Sequence, residues 1–166
     1  MASTSTFINL GASLTPREAA ADAIYRFTQA LDDNDSNLLR SSITLDAMVD
    51  RSGLSSVTGR DLPPTPGIDL IERFVLGTIG LMDTSHHVSN VRVKLAENQN
   101  QAEVTCYVVA EHYKAGEGHD PTKSMHLSVG TRYRAEVVED NDGLWKIRKV
   151  DLVTLWSIGD LGVFGM

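Results

Sequence analysis

In the first part of the chain the apolar positions follow a helical period. Ala20, Ile24, Phe27 and Leu31 fall on one face of a 3.6-residue repeat. Thr15-Pro16-Arg17-Glu18 stands ahead of them as a start signal. Thr15 can cap, Pro16 suits the first helical position, and Glu18 completes a capping box. The pattern predicts a helix to about Leu31–Asp33. Asp35-Ser36 opens a short second helix through Leu38, Leu39 and Arg40, and Asp32-Asp33-Asn34 joins the two as a hairpin. Ala47 to Asp50 reads as extended and runs on into Arg51-Ser52-Gly53. Residues 59–67 carry Pro63, Pro64 and Pro66 and can be neither helix nor central strand, so a loop or lid is expected there. A third helix is expected from Ile68 to Leu81, with Leu70, Ile71, Phe74, Val75 and Ile79 as its apolar face.

From His86 onward the period becomes two. Val91, Val93 and Leu95 alternate with polar residues. After the turn Glu97-Asn98-Gln99-Asn100, so do Ala102, Val104, Cys106, Val108 and Ala110. A Gly-rich loop near Gly116–Pro121 precedes another extended run from Met125 to Val138. Asp140-Asn141-Asp142-Gly143 then turns the chain into a last strand, Trp145 to Trp156. Helices followed by long hairpin-linked strands define the α+β class. No repeat or linker divides the chain. Residues 1–14 read as an N-terminal tail, 15–157 as one domain and 158–166 as a C-terminal tail. That tail has Gly159, Gly162 and Gly165 among apolar residues and could fold over a pocket as a lid.

Length and composition fit this picture: 166 residues, 42% hydrophobic and 22% charged, suffice for a single domain with its own core. The formal net charge of −7 would repel phosphate backbones, so nucleic acid is not an expected partner. The lone Cys106 cannot form an internal disulfide, sits in a strand-like run and reads as a small buried hydrophobe. The sequence has no 18-residue apolar run and no signal-like N-terminus, so a cytoplasmic protein without a membrane partner is expected.

Phosphate-binding loops, dinucleotide fingerprints, nucleophile elbows, Cys-x-x-Cys pairs and zinc-helix motifs are all missing from the sequence. His86 and His87 are adjacent, so on a strand they face opposite ways and cannot share a metal. No metal or other cofactor is expected. A few ionisable residues remain where the helices should meet the pocket. Taken singly, Asp32 reads as a solvated helix-end carboxylate, His87 as a structural histidine and His126 as a sheet-surface residue. His112, near a strand end, reads as a rim residue or a partner for a loop, and His119 as solvated.

The order of several segments changes that weighting. Tyr25 to Asp35, Thr44 to Asp50, Ser85-His86-His87-Val88-Ser89-Asn90, His126 to Tyr133, and Asp142 to Ile147 with Trp156 follow one another as in a known group. Over residues 15–157 the chain resembles the SnoaL-like group of the NTF2-like superfamily. Within it the chain is most similar to scytalone dehydratase and its relatives, including bile-acid dehydratases and fungal meroterpenoid isomerases and cyclases. The resemblance implies a cone-shaped α+β barrel, with N-terminal helices packed on a strongly curved, mixed or antiparallel sheet that encloses a pocket. It implies a catalytic carboxylate at Asp32, a catalytic histidine at His87 and a second pocket histidine at His126. The family's pattern is departed from in places. Leu31 and Arg51 stand where scytalone dehydratase has two carbonyl-directed tyrosines, and Phe27 where bile-acid dehydratases have one. Arg51, Tyr25, Tyr107 and Tyr133 are the replacements to weigh.

The resemblance implies a cofactor-independent lyase or isomerase working by His–Asp acid–base catalysis. Dehydration, double-bond isomerisation or cyclisation of an apolar, oxygenated polyketide or terpenoid intermediate of secondary metabolism would fit. The substrate-binding set expected with it is Tyr25, Phe27, Leu31, Met48, Arg51, Phe74, Tyr107 and Trp156, with Val49 and Leu81 as further wall residues. A homodimer or homotrimer assembled through the outer sheet face is expected from the same resemblance. Two other readings stand beside it. One is a non-catalytic small-molecule-binding or subunit-assembly module, since the fold hosts both. The other is an enzyme using sheet carboxylates, for which the chain offers Glu103, Glu111 and Asp151.

Overall fold

The computed structural model describes residues 13–120, 122 and 125–165, so most of the N-terminal tail expected over 1–14, together with Pro121 and Met166, lies outside the described residues. The first helix, α1, spans Pro16–Asp32 and begins with the capping box: Thr15 N–H donates to Glu18 Oε2 at 2.7 Å, and Glu18 N–H to Thr15 Oγ1 at 3.4 Å. Ala20, Ala23, Ile24, Phe27, Ala30 and Leu31 give it a buried face. Asp35 caps α2 (Ser36–Ser42) through Leu38 N–H.

Among the described residues six strands make one sheet in the order β2-β1-β6-β5-β4-β3. They are β1 (Ile43–Asp50), β2 (Thr65–Pro66), β3 (Asp83–Leu95), β4 (Gln101–Tyr113), β5 (His126–Glu139) and β6 (Trp145–Gly159). The β1–β6 pair is parallel and all the others are antiparallel, so the sheet is mixed. Within the Pro-rich segment Thr65–Pro66 forms the short edge strand β2, a place that tolerates a missing N–H. Between β1 and β2 lie a 3-10 turn (Ser52–Leu54) and the single-turn helix α3 (Ser55–Thr58). Gly53 lets this segment rest on β6: a Cβ there would stand 2.1 Å from the Leu152 carbonyl oxygen.

Some boundaries differ from the sequence expectation. The third helix of the pattern is α4, Ile68–Leu76, and does not reach Leu81. Gly77 and Gly80 favour breaking it, and Ile79–Leu81 turns separately as 3-10. β1 starts at Ile43 and β3 at Asp83, each earlier than the alternation suggests.

Register shifts in β3 and β6 mark bulges, which bend and twist strands and here curl the sheet without closing it. Along β4 the even residues Ala102, Val104, Cys106, Val108, Ala110 and His112 are buried on the concave side. Along β5 the odd residues Leu127, Val129, Thr131, Tyr133, Ala135 and Val137 share that side. α1 lies against this face and closes one end of the curl. On the convex side of β6, Val153, Leu155, Trp156 and Ile158 are exposed. No helix among the described residues is long and apolar enough to cross a membrane.

Candidate active site

A cavity of about 460 Å³ opens between α1, the concave face of the sheet, the segment 51–62 and the C-terminal 3-10 turn Leu161–Phe164. That is within the size range of small-molecule sites. Phe27, Leu31, Val49, Val75, Leu127 and Val129 make much of its apolar wall. Val163 is buried against Leu127 and Val129 and, with Phe164, covers one side. From the Pro-rich side come Arg60 and Leu62.

Asp32 ends α1 four residues after buried Thr28, on the flank that meets β3. A carboxylate at a helix C-terminus faces the unfavourable end of the dipole, so it needs other partners. His86 supplies two. Its backbone N–H donates to Asp32 Oδ2 at 2.8 Å, and its ring Nδ1 lies 2.6 Å from Asp32 Oδ1. β3 is an edge strand, so half its N–H groups lack a strand partner, and Asp32 meets one of them. The double grip holds backbone and ring together. The His86 side chain is 5% exposed and lines the cavity, while Asp32 stands behind it.

His112 is the second imidazole on the cavity wall. Its ring centroid is 5.8 Å from that of His86 in an edge-to-face arrangement, and Phe164 packs on it at 5.4 Å. Its Nδ1 lies 3.3 Å from the Leu127 carbonyl oxygen, so Nδ1–H donates and Nε2 is left as an acceptor. Burial, reinforced by positive charge on His86, pushes the His112 pKa down to about 4. The neutral ring is therefore the working form at neutral pH.

A stability consequence follows from this shift. Between about pH 6.5 and 4 the unfolded chain binds a proton at His112 that the folded chain refuses, so stability falls as pH drops through that window. The loss is on the order of 3 kcal/mol and is complete below the folded pKa. Urea unfolding of wild type and His112→Phe at pH 7 and pH 4.5 checks it, since the variant should lose less on acidification. Equal losses in both proteins would refute the assignment.

Two further polar groups face the cavity. Tyr133 is buried, and burial pushes its phenol upward, so it stays a neutral O–H donor. Arg51 is half-buried, with Nη2 3.1 Å from Thr65 Oγ1 and its guanidinium carbon 5.1 Å from the Phe74 ring centroid. Cys106 sits in the core, where burial raises its pKa to about 11, which keeps it a thiol.

Several residues expected at the site lie elsewhere. His87 is exposed on the convex side, where its Nε2 is 3.1 Å from Ser85 Oγ; Asp32 meets His86 in its place. His126 has the opposite parity to Leu127 and Val129, and so leaves the cavity. It stacks on Tyr113 and lies 2.5 Å from Glu111 Oε2, while Ser128 Oγ donates to Glu111 Oε1 at 2.9 Å. Tyr25 is exposed on the outer side of α1, and Tyr107 bonds Arg132 on the convex face. Met48 alternates with inward Val49 and turns away. Phe74 and Leu81 are exposed outside the wall, and Trp156 covers Gly130 on the convex face. Phe27, Leu31, Val49, Arg51 and Tyr133 remain in the lining. None of the sheet carboxylates lines the cavity: Glu103 lies 3.7 Å from Lys94, Glu111 bonds His126, and Asp151 neighbours Lys149.

A curled α+β sheet with a helix closing one end is the NTF2-like fold, and the chain belongs to the SnoaL-like domain family, whose model matches residues 12–151. At 37% identity over 166 residues, covering 99% of each chain, it is similar to terrestric acid biosynthesis cluster protein E of Penicillium crustosum. Among solved structures, a scytalone dehydratase-like protein of Novosphingobium aromaticivorans shares the fold. The TM-score is 0.67 and the identity 22%, over 86% of either chain. A hexachlorocyclohexane dehydrochlorinase of Novosphingobium barchaimii matches with a TM-score of 0.68 and 15% identity, over 89% of this chain and 91% of the other.

Proposed function

We propose that this chain is a cofactor-independent lyase or isomerase that moves a proton between two positions of an apolar, oxygenated intermediate of secondary metabolism. The observation that carries the reading is Asp32 on Nδ1 of a His86 ring that lines an apolar cavity. With Nδ1–H held by the carboxylate, Nε2 is free to accept a proton, and the imidazolium so formed is stabilised by Asp32. Exclusion of water strengthens that pairing.

The steps are those of proton transfer next to a carbonyl. His86 Nε2 takes a proton from the carbon beside the carbonyl, and the C–H electron pair moves into an enolate. In dehydration the pair then forms C=C as the C–O bond breaks, and the hydroxyl leaves with the proton from His86 as water. In isomerisation the same proton returns to a different carbon. Tyr133 O–H is suited to donate to the carbonyl oxygen as charge develops there. Neutral His112, through Nε2, is suited to accept a hydrogen bond from the substrate hydroxyl and orient it. The fungal relative from a biosynthetic cluster and the dehydratase-like and dehydrochlorinase folds support this class of chemistry over a purely structural module.

The test is an incubation in D2O, without added cofactor, of the purified chain with a panel of bicyclic β-hydroxy ketones and enones. Proton NMR should show deuterium entering beside the carbonyl, with loss of water or migration of the double bond. Compounds that bind without exchanging deuterium would favour the binding-module reading.

A further inference from the structure

The residues of the cavity that keep a permanent charge are both cations. Arg51 and Arg60 line it, and no Asp or Glu does among the described residues. This is unexpected in a chain of net charge −7. Arg51 also differs from the arginines that the chain pairs with its own carboxylates. Arg26, Arg40 and Arg148 each lie against a carboxylate of the chain. Arg51 has a threonine hydroxyl and an aromatic face, and its buried Nε has no hydrogen-bond partner among the described residues. A half-buried guanidinium cannot shed its charge and presents a planar fork that matches two oxygens of an anion. Leaving it without a counter-ion in an apolar wall costs stability. An anionic ligand would offset that cost while bound.

Resting on the reading of the cavity as a substrate site, we propose that Arg51 is a specificity-determining residue that selects molecules carrying an anionic oxygen, a carboxylate or an acidic enol, on an otherwise apolar frame. Arg60, exposed at the mouth, adds to the local positive potential and attracts such anions. Holding one end of the molecule at Arg51 orients its remainder along the apolar wall that also presents His86.

Matched probes test this without turnover. Naphthalene-2-carboxylate is compared with the neutral naphthalene-2-carboxamide, and 4-hydroxycoumarin, an acidic enol, with 4-methoxycoumarin, each titrated calorimetrically at pH 7.5. Wild type should bind at least one anion tighter than its neutral twin by about tenfold or more. The pair that shows the preference identifies carboxylate or enolate as the natural group. Arg51→Gln should erase the preference while leaving the affinity for the neutral twin unchanged, and Arg51→Lys should keep part of it. A wild-type ratio near one for both pairs overturns the proposal even if the variants fail to fold, and so does a preference that survives in folded Arg51→Gln. Deuterium exchange that depends on His86 with no anion preference would leave the proton-transfer reading standing and this proposal rejected.

Discussion

Replacing His86 by asparagine should lower turnover by about 10²- to 10⁴-fold, and replacing His87 should leave it unchanged. The two residues are neighbours in sequence and opposite in space. His86 turns into the cavity and takes both oxygens of Asp32, through its backbone N–H and its ring. His87 faces solvent beside Ser85. Asparagine at 86 keeps the backbone bond to Asp32 but removes the imidazole that would accept and return the proton. Asp32→Asn should be similarly slow, because an amide cannot stabilise an imidazolium. The check is kcat and KM for His86→Asn, His87→Asn and Asp32→Asn on whichever compound exchanges deuterium. A deficit confined to KM would make His86 a binding group only.

That contrast also shows how far the sequence could be read. Val91, Val93 and Leu95 set an odd phase, and carrying it back along the strand lands on His87. A bulge defeats the extrapolation. Ser89 pairs with Tyr107 and Arg92 with Thr105, so β3 holds one extra residue, with Asn90 at φ 52. One inserted residue exchanges the faces of everything before it, and inward positions become Val88 and His86. Asn90 was a visible signal, since asparagine tolerates the left-handed region. In β4 no bulge intervenes, and the alternation Ala102 to Ala110 points on to His112 two residues later. Extending it one step would have placed that imidazole in the cavity. The same parity argument turns His126 outward, because Leu127 and Val129 are inward. The capping box, the helical hairpin and the α+β order were legible because they rest on local chemistry. The parallel β1–β6 pairing is non-local, and no local pattern carries it. Asp32, Phe27, Leu31 and Arg51 were legible as positions of a family pattern, but which of their neighbours they meet depends on strand phase.

Arg26→Met should destabilise the fold by about 3–5 kcal/mol. Arg26 is 5% exposed and ties three elements together. Its Nε lies 2.6 Å from Asp22 Oδ2 in α1, Nη1 donates to the Ser41 carbonyl at the end of α2, and Nη2 donates to the Trp145 carbonyl at 2.6 Å. Methionine fills much of the volume but leaves a carboxylate and two carbonyls without their donor, and unmet buried acceptors are costly. These bonds fix α1, and with it Asp32, relative to the final strand. Urea unfolding should show a lower midpoint at an unchanged slope, and Tm should fall by roughly 10 °C. A change below about 1 kcal/mol would mean that water replaces the guanidinium at little cost.

The pairing of Asp32 with His86 is the central claim, and imidazole NMR tests it most directly, with no substrate required. On 15N-histidine-labelled protein, the account predicts a protected, far-downfield Nδ1 proton on His86 that disappears in Asp32→Asn, with His87 unaffected. A His86 ring that shows no such proton, or a His87 signal that responds to Asp32→Asn in its place, would contradict it.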